Sequence, residues 1–399
     1  VTTENIFPVI RQWLYEDKDI FIRELVSNCA DAIAKHRRLV ELGKAEKEPD
    51  KTDYSIRVVY DDDNKTISFE DNGIGMTEED LENNLGTIAN SGSLAFKKDN
   101  DLGDDVDIIG QFGVGFYAAF MVADKVTVIS KAYGSDEAWM WQSAGAEGYT
   151  MTPCEKDTHG TDIIMHLKAN ADEENYDQYL ETYKLQELVK KYSDYIRYPI
   201  RMEVSKSRKK EDSPEDKPEY ESYMEEDTLN SMIPLWQRAK KDVTEEEYET
   251  FYREKFFDYE KPVRTVHFGA EGMVSFKALL YIPGKAPMDF YAKDFKRGLQ
   301  LYSSGVMIME SCEDLLPEYF SFVRGVVDSQ DLSLNISREM LQHDRQLKII
   351  AKGIEKKIKS ELKAMLENDR QGYENFYAAF ARQLKYGAVA EYGAHKDAT

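Results

Sequence analysis

The chain has 399 residues, 42% of them hydrophobic and 32% charged, with a formal net charge of −23. That composition belongs to a globular protein long enough for two or three domains with real cores. The charge argues against a nucleic-acid partner held through phosphates, and against anionic membranes, because both would be repelled before any specific contact formed.

A helix is expected near residues 4–14 and a second over roughly 18–42. In the second, "IFIRELVSNCADAI" sets Glu24, Asn28 and Asp31 at i, i+4 and i+7, so the three share one face. Phe21, Leu25, Cys29 and Ala32 form an apolar stripe beside them. The polar face is either an ordinary solvated one or a pocket wall. An Asn amide oxygen is a hard ligand suited to Mg²⁺, and a carboxylate one turn away could polarise a water.

"YSIRVVY" (54–60) and "KTISFE" (65–70) flank the turn "DDDN" and read as a hairpin. "FEDNGIGM" (69–76) follows, with Asp71, Gly73 and Gly75 within five positions. Taken alone it is ordinary turn chemistry. It lacks the acidic ligands of a calcium loop, and Glu78 stands where a dinucleotide fingerprint needs its third glycine. Thr77 then starts a helix over 77–86, with Asp80 three residues on as a capping box.

Residues 86–115 are punctuated by glycine and hold the acidic run "DNDLGDDVD". Gly110, Gly113 and Gly115 of "GQFGVGF" precede the helix-like "VGFYAAFMVAD". The cluster is either an anion nest of backbone N–H groups or a hinge. No Lys-Ser/Thr follows, so it is not a Walker loop. The strands "KVTVISKAY", "EAWMWQSAG", "GYTMTPCE" and "TDIIMHLK" come next, joined by turns too short for parallel crossovers. The first domain therefore reads as α+β, an antiparallel sheet with its helices on one face.

The charged segment 206–227, "KSRKKEDSPEDKPEYESYMEED", holds two prolines and almost nothing to bury, and reads as a linker. Beyond it are a helix from Thr244, strands near 263–268, 273–282 and 299–309, and a long final helix. In that helix Leu347, Ile350, Ile354, Ile358, Leu362 and Met365 form a buried stripe. Arg338 and Gln342, in "NISREMLQ", sit at i and i+4, which by itself is a surface pair. Cys29, Cys154 and Cys312 form neither a metal spacing nor a disulfide framework, and read as free thiols in a reducing compartment. The longest apolar run, Phe116–Ala123, is too short to span a bilayer, and no secretory signal opens the chain.

E-x-x-x-N-x-x-D-A, then D-x-G-x-G-M, then G-x-x-G-x-G-F, in this order, resembles the nucleotide-binding fold shared by DNA gyrase, the heat-shock protein 90 chaperones, the sensor histidine kinases and the MutL proteins. "FIRELVSNCADAI", "DNGIGMTEEDLENNLGTIANSGS", "IGQFGVGFYAAFMVADKV" and "VVDSQDLSLNISREMLQ" narrow the resemblance to the heat-shock protein 90 family, in its bacterial HtpG type, over nearly the whole chain.

The resemblance implies an N-terminal α/β sandwich of the Bergerat (GHKL) kind over 1–205, a linker at 206–227 and an αβα middle domain over 228–399. It implies ATP and ADP as ligands with Mg²⁺, and an ATP-driven chaperone cycle on partly folded client proteins in the cytoplasm. Asp71 would accept from the adenine amino group, with Thr161 and waters completing that edge. Gly73 and Gly75 would let the backbone approach the base, and Met76 would pack on it. Asn28 would hold Mg²⁺, and Glu24 would orient and activate the attacking water. Asp31, Ala32, Asn84, Ser91, Gly92 and the run Gly110, Gln111, Phe112, Gly113, Val114, Gly115 and Phe116 would complete the nucleotide site. Residues 86–115 would form a lid. Arg338, with Gln342 beside it, would meet the γ-phosphate as an arginine finger.

Two features depart from eukaryotic members. Ser303, Ser304 and Gly305 stand where those carry a basic pair, and the linker is short. Val1 in place of Met, and the position of the last residue against the family pattern, lead us to expect a trimmed chain. Such a chain would lack the C-terminal dimerisation domain and most of the N-terminal swapping strand, and would be monomeric where the full-length protein is a homodimer. Two rival readings compete with this one. A strand-passing or repair ATPase would need a basic second domain. A scaffold that binds nucleotide without turning it over would not need Glu24 and Arg338.

Overall fold

A computed structural model describes residues 17–46, 53–86, 109, 114–145, 148–171, 173–209, 220–287, 290–292, 295–332, 334 and 345–390. The chain divides into two compact units, Val1–Met232 and Ile233–Thr399. The expected helix at 4–14 lies outside the described residues.

The first unit is an eight-stranded sheet with helices. Helix α1 (Ile20–Glu41) buries Phe21, Leu25 and Cys29 together with Ile22, Val26 and Ile33. It lies against strands β1 (Ile56–Asp61) and β2 (Thr66–Asp71). These two strands form the expected hairpin, paired from Ile56↔Asp71 to Asp61↔Thr66. Helix α2 (Glu78–Leu85) opens on Thr77, whose hydroxyl accepts from the Asp80 N–H while the Asp80 carboxylate takes the Thr77 N–H, so the capping box is real. The apolar segment before β3 is a 3-10 helix, Gly115–Met121. Strands β3 (Ala123–Lys131), β4 (Ala138–Ser143), β5 (Tyr149–Cys154) and β6 (Gly160–Leu167) follow, then helix α3 (Thr182–Ser193).

Strand order is β5-β4-β3-β6-β2-β1-β7-β8, with β7 (Ile200–Lys209) and β8 (Tyr220–Thr228) at one edge. All neighbours are antiparallel except β1 and β7, which pair in parallel; β7 reaches its place only after α3. The sheet is thus mixed. The linker expected at 206–227 needs correcting. Its ends are strand residues, paired from Arg201↔Thr228 to Lys209↔Tyr220, and the two units part after Met232. Charge does not prevent strand formation at a sheet edge, where side chains reach water while backbone groups pair.

The second unit is built on a five-stranded sheet, order β12-β11-β13-β10-β9. Helix α4 (Glu245–Phe256) starts on a capping box between Thr244 and Glu247 and stops at Phe257 in the left-handed region, φ 53°. Strands β9 (Arg264–Ala270) and β10 (Phe276–Ile282) agree with expectation. The single strand expected at 299–309 is a hairpin, β11 (Leu299–Ser303) and β12 (Val306–Cys312). Its two-residue turn, Ser304 and Gly305, has φ 52° and 80°, the positive pair that tight hairpins require. Strand β13 (Arg324–Asp328) and helix α6 (Arg370–Ala390) were not anticipated. Helix α5 (Arg345–Asn368) buries all six residues of its predicted stripe. Against it α6 sinks Phe376, Phe380 and Leu384, with Phe380 stacked on Phe322 at 4.4 Å between centroids.

Candidate functional site

The stretch "FEDNGIGM" runs from the end of β2 to the start of α2, alongside α1. Asp71 is the last residue of β2 and is buried. Its Oδ1 accepts the Gly73 N–H at 2.8 Å, and the Cys29 thiol of α1 bonds to the same carboxylate. Burial raises the Asp71 carboxyl to about 7; the Gly73 N–H opposes that shift, Asp162 adds to it and Lys156 counters it. Cys29 is driven well above the usual thiol range, first by burial and then by the Asp71 charge. A carboxylate has about four lone-pair sites, so Asp71 keeps acceptor capacity for a further donor.

Across the sheet Asp71 pairs with Thr161 of β6, and Thr161 pairs with Ser130 of β3. Ser130 Oγ lies 2.8 Å from Thr161 Oγ1 and accepts the Met76 N–H at 2.9 Å. Asp71, Thr161 and Met76 are therefore held as one edge.

The turn itself is fastened from three sides. The Ile74 N–H donates to the Ala32 carbonyl at 3.0 Å, the Tyr133 N–H donates to the Ile74 carbonyl at 2.7 Å, and His159 Nδ1 lies 2.5 Å from the Gly73 carbonyl oxygen. The packing of the turn itself also requires the two glycines. A Cβ on Gly73 would stand 2.4 Å from the Ala32 carbonyl carbon. One on Gly75, at φ 68°, would stand 1.8 Å from the Lys131 carbonyl oxygen. Their first role is to let the turn lie flat against α1 and β3, which places Asp71 next to the helix.

On α1, Glu24 and Asp31 are buried, and Asn28 and Ala32 are half-buried. Glu24 Oε1 accepts from Arg23 Nε and Nη2, each at 2.9 Å, and Arg23 is itself 1% exposed. Asp31 Oδ1 accepts the Ile109 N–H at 2.6 Å. Gly115 abuts the Glu24 carboxylate, since a Cβ there would lie 2.5 Å from Oε2. Val114 and Phe116 on either side are buried, Phe116 edge-on to Trp141 at 5.5 Å. Asn84 stands half-buried on the last turn of α2.

The fold thus sets Glu24, Asp31 and Ala32 along α1, Gly115 against Glu24, Gly73 against Ala32, and Asp71 and Thr161 at paired positions of β2 and β6, with Met76 tied to Thr161 through Ser130. Ser91, Gly92, Gly110, Gln111, Phe112, Gly113, Arg338 and Gln342, and most of the expected lid at 86–115, lie outside the described residues.

Sequence reading missed Arg23, Lys35, Ser130 and His159. Lys35 carried a signal, since it continues the series Asn28, Asp31 by one more turn. Burial lowers its ammonium, against the pull of Asp31, Asp80 and Asp71. Ser130 and His159 carried none, because strand pairing alone brings them there. Among the described residues no group of His, Cys, Asp and Glu side chains could hold a metal ion by itself, and no helix is long and apolar enough to cross a membrane.

Comparison with known proteins agrees with this geometry. Residues 19–161 match the family described as histidine kinase-, DNA gyrase B-, and HSP90-like ATPase. Residues 178–226 and 214–397 match the family described as Hsp90 protein. The chain is 54% identical over 395 residues to chaperone protein HtpG of Clostridium perfringens, covering 99% of this chain and 63% of that protein. It is 56% identical over 387 residues to chaperone protein HtpG of Clostridium botulinum, covering 96% of this chain and 61% of that protein. The chain thus spans about three-fifths of the length of these relatives. With one profile covering the α1–β6 site and the other more than half of the chain, the chain belongs to the heat-shock protein 90 family.

Proposed function

We infer that this chain binds ATP and hydrolyses it, and that hydrolysis drives a chaperone cycle on partly folded client proteins. The observation that carries the reading is the buried Asp71 carboxylate, fixed by Gly73 and Cys29 beside the Thr161 hydroxyl. An acceptor-only group in an apolar setting, next to a hydroxyl, suits an aromatic amine with an adjacent ring nitrogen, which is the edge of adenine. A charge-assisted bond of this kind contributes about 1.5–3 kcal/mol and rejects bases without the donor.

The phosphates would run along α1 toward Glu24 and Gly115. Asn28 fits Mg²⁺ as a hard oxygen donor, one protein ligand being enough where phosphate oxygens and waters supply the rest. The ion would neutralise phosphate charge. Glu24 would orient the attacking water and take its proton; Arg23 fixes where that carboxylate stands. Arg338 and Gln342 would act on the γ-phosphate. A lid at 86–115, a cytoplasmic setting, and a homodimer of the full-length protein complete the reading.

A second reading, nucleotide binding without turnover, draws on the Arg23–Glu24 pair, because a carboxylate oxygen already engaged by a guanidinium has fewer lone pairs left for a water. Two measurements decide. Calorimetry with ADP on the parent and on Asp71→Asn tests the site, and the variant is expected to fold and not to bind; unchanged affinity would remove the assignment. Steady-state phosphate release at saturating ATP tests turnover, and its absence would favour the second reading.

A further inference from the structure

The 3-10 helix Gly115–Met121 makes its last internal bond where the Val122 N–H donates to the Ala119 carbonyl at 3.2 Å. A helix of this kind bonds i to i+3, so the next three carbonyls, those of Phe120, Met121 and Val122, are left over at its end. One residue takes all three. The Lys168 ammonium, just past the end of β6, donates to the Phe120 carbonyl at 2.7 Å and to the Met121 carbonyl at 2.8 Å. The Lys168 N–H donates to the Val122 carbonyl at 2.9 Å. At the other end of the same helix Gly115 abuts the Glu24 carboxylate, and the residues from Phe116 to Met121 between these two points are buried. A segment packed this way passes a displacement of its end along its length.

The Glu24 side of that contact is tied at the same place. Lys18, two residues before α1, donates to the Glu174 carboxylate, which also accepts the Tyr176 hydroxyl. The Lys18 and Lys168 ammonium groups both lie over the Tyr176 ring, 5.3 and 5.7 Å from its centroid. The two elements that meet at Glu24 are therefore anchored on one short stretch, residues 174–176. We propose that Lys168 is a positioning residue for hydrolysis: by holding the three terminal carbonyls it sets where Gly115 stands against Glu24, and so where the Glu24 carboxylate points. The proposal rests on the reading of Glu24 as the group that orients the attacking water. A lysine that only closed the end of the helix would affect stability and leave turnover by the folded protein alone.

The test uses the whole chain, with phosphate release at saturating ATP and calorimetric ADP affinity measured side by side. The proteins are the parent, Lys168→Met, Lys168→Arg, Glu24→Gln and the Lys168→Met/Glu24→Gln double variant, each assayed below its own unfolding transition so that lost stability does not enter. Lys168→Met keeps an apolar stem and loses the donors. It is expected to lower kcat about five- to twentyfold, as a small misplacement of a reacting group does, with ADP affinity within about twofold of the parent. Lys168→Arg keeps charge and donors and restores most of the rate. In the Glu24→Gln background Lys168→Met changes the residual rate no further, because its effect passes through Glu24. Three results overturn the proposal while leaving the ATP reading intact: a folded Lys168→Met protein with kcat within twofold of the parent, an equal loss of rate in the Glu24→Gln background, or a loss of ADP affinity as large as the loss of kcat. Should Lys168→Met not fold, Lys168→Gln takes its place under the same criteria. A parent that releases no phosphate, or a Glu24→Gln variant with the parental rate, overturns the reading of Glu24 and this proposal with it.

Discussion

Gly115 and Glu24 touch across 91 positions of sequence: the methyl that Gly115 lacks would stand 2.5 Å from Glu24 Oε2. The glycine fills no turn requirement here; its φ is not in the left-handed region. What it supplies is room for a carboxylate already fixed on its other side by Arg23.

Gly115→Ala therefore should displace the Glu24 side chain. ATP turnover is expected to fall at least tenfold, with a smaller loss of ADP affinity, because the base and not the nucleotide is moved. Phosphate release and calorimetry on the same preparation check it; equal losses in both would mean that the whole phosphate region had collapsed.

Glu24→Gln and Glu24→Ala should separate two roles of one side chain. Glutamine keeps an oxygen for Arg23 and cannot take a proton, so turnover is expected to drop by about two orders of magnitude with ATP affinity kept. Alanine also strands a buried guanidinium, and breaking a buried pair costs about 3–5 kcal/mol. Thermal unfolding should rank parent and Gln together and Ala well below. A Glu24→Gln protein that hydrolyses ATP at the parental rate would leave Glu24 a structural partner of Arg23.

The raised Asp71 carboxyl makes two pH dependences. Its value of about 7 lies above the ordinary 3.8, so the folded chain binds a proton that the unfolded chain gives up between those values. The stability this contributes is fully present below pH 3.8 and is lost as pH rises toward and through 7, a sign opposite to that of most carboxylates. Ligand binding runs the other way, since the amine needs the ionised form. ADP affinity should rise with pH up to about 7 and level off above it, and below that point the binding enthalpy should vary with the ionisation heat of the buffer. Affinity flat from pH 5.5 to 8 would show that Asp71 is ionised throughout.

Gly75→Ala should be among the most damaging single changes in the first unit. The new Cβ would meet the Lys131 carbonyl oxygen at 1.8 Å, in backbone that cannot yield without breaking the β3 ladder, and φ 68° adds its own strain. A loss of about 3 kcal/mol or more in urea unfolding is expected, from overpacking and strain together. Gly134→Ala, at φ 77° with nothing within 4 Å of its Cβ, isolates the conformational part and should cost about 1 kcal/mol.

Much of the chain could be read without coordinates, because the deciding interactions are local. Thr77 and Thr244 announce their helices through partners three residues away, and the stripe from Leu347 to Met365 is a property of helical period alone. Asp71, Gly73, Gly75 and Glu24 stand out as candidates because they fall in short motifs in a fixed order. The charged segment 206–227 misled because composition registers what a segment cannot bury, whereas β7 and β8 are held by backbone bonds, which composition does not record. Strand 299–309 concealed a turn because Ser304 and Gly305 interrupt the apolar pattern for only two residues.

Tertiary structure alone decided what surrounds the motifs. Ser130 and Thr161 lie 31 positions apart and meet because β3 and β6 pair in one register; a slip of one residue in either strand would turn its hydroxyl to the other face of the sheet, away from its partner. The reason Gly73 and Gly75 are glycines is the close approach of α1 and β3, which no property of the eight-residue motif contains. The Asp71 carboxyl near 7 is likewise a consequence of burial beneath α1, since the same residue in water would ionise three units lower.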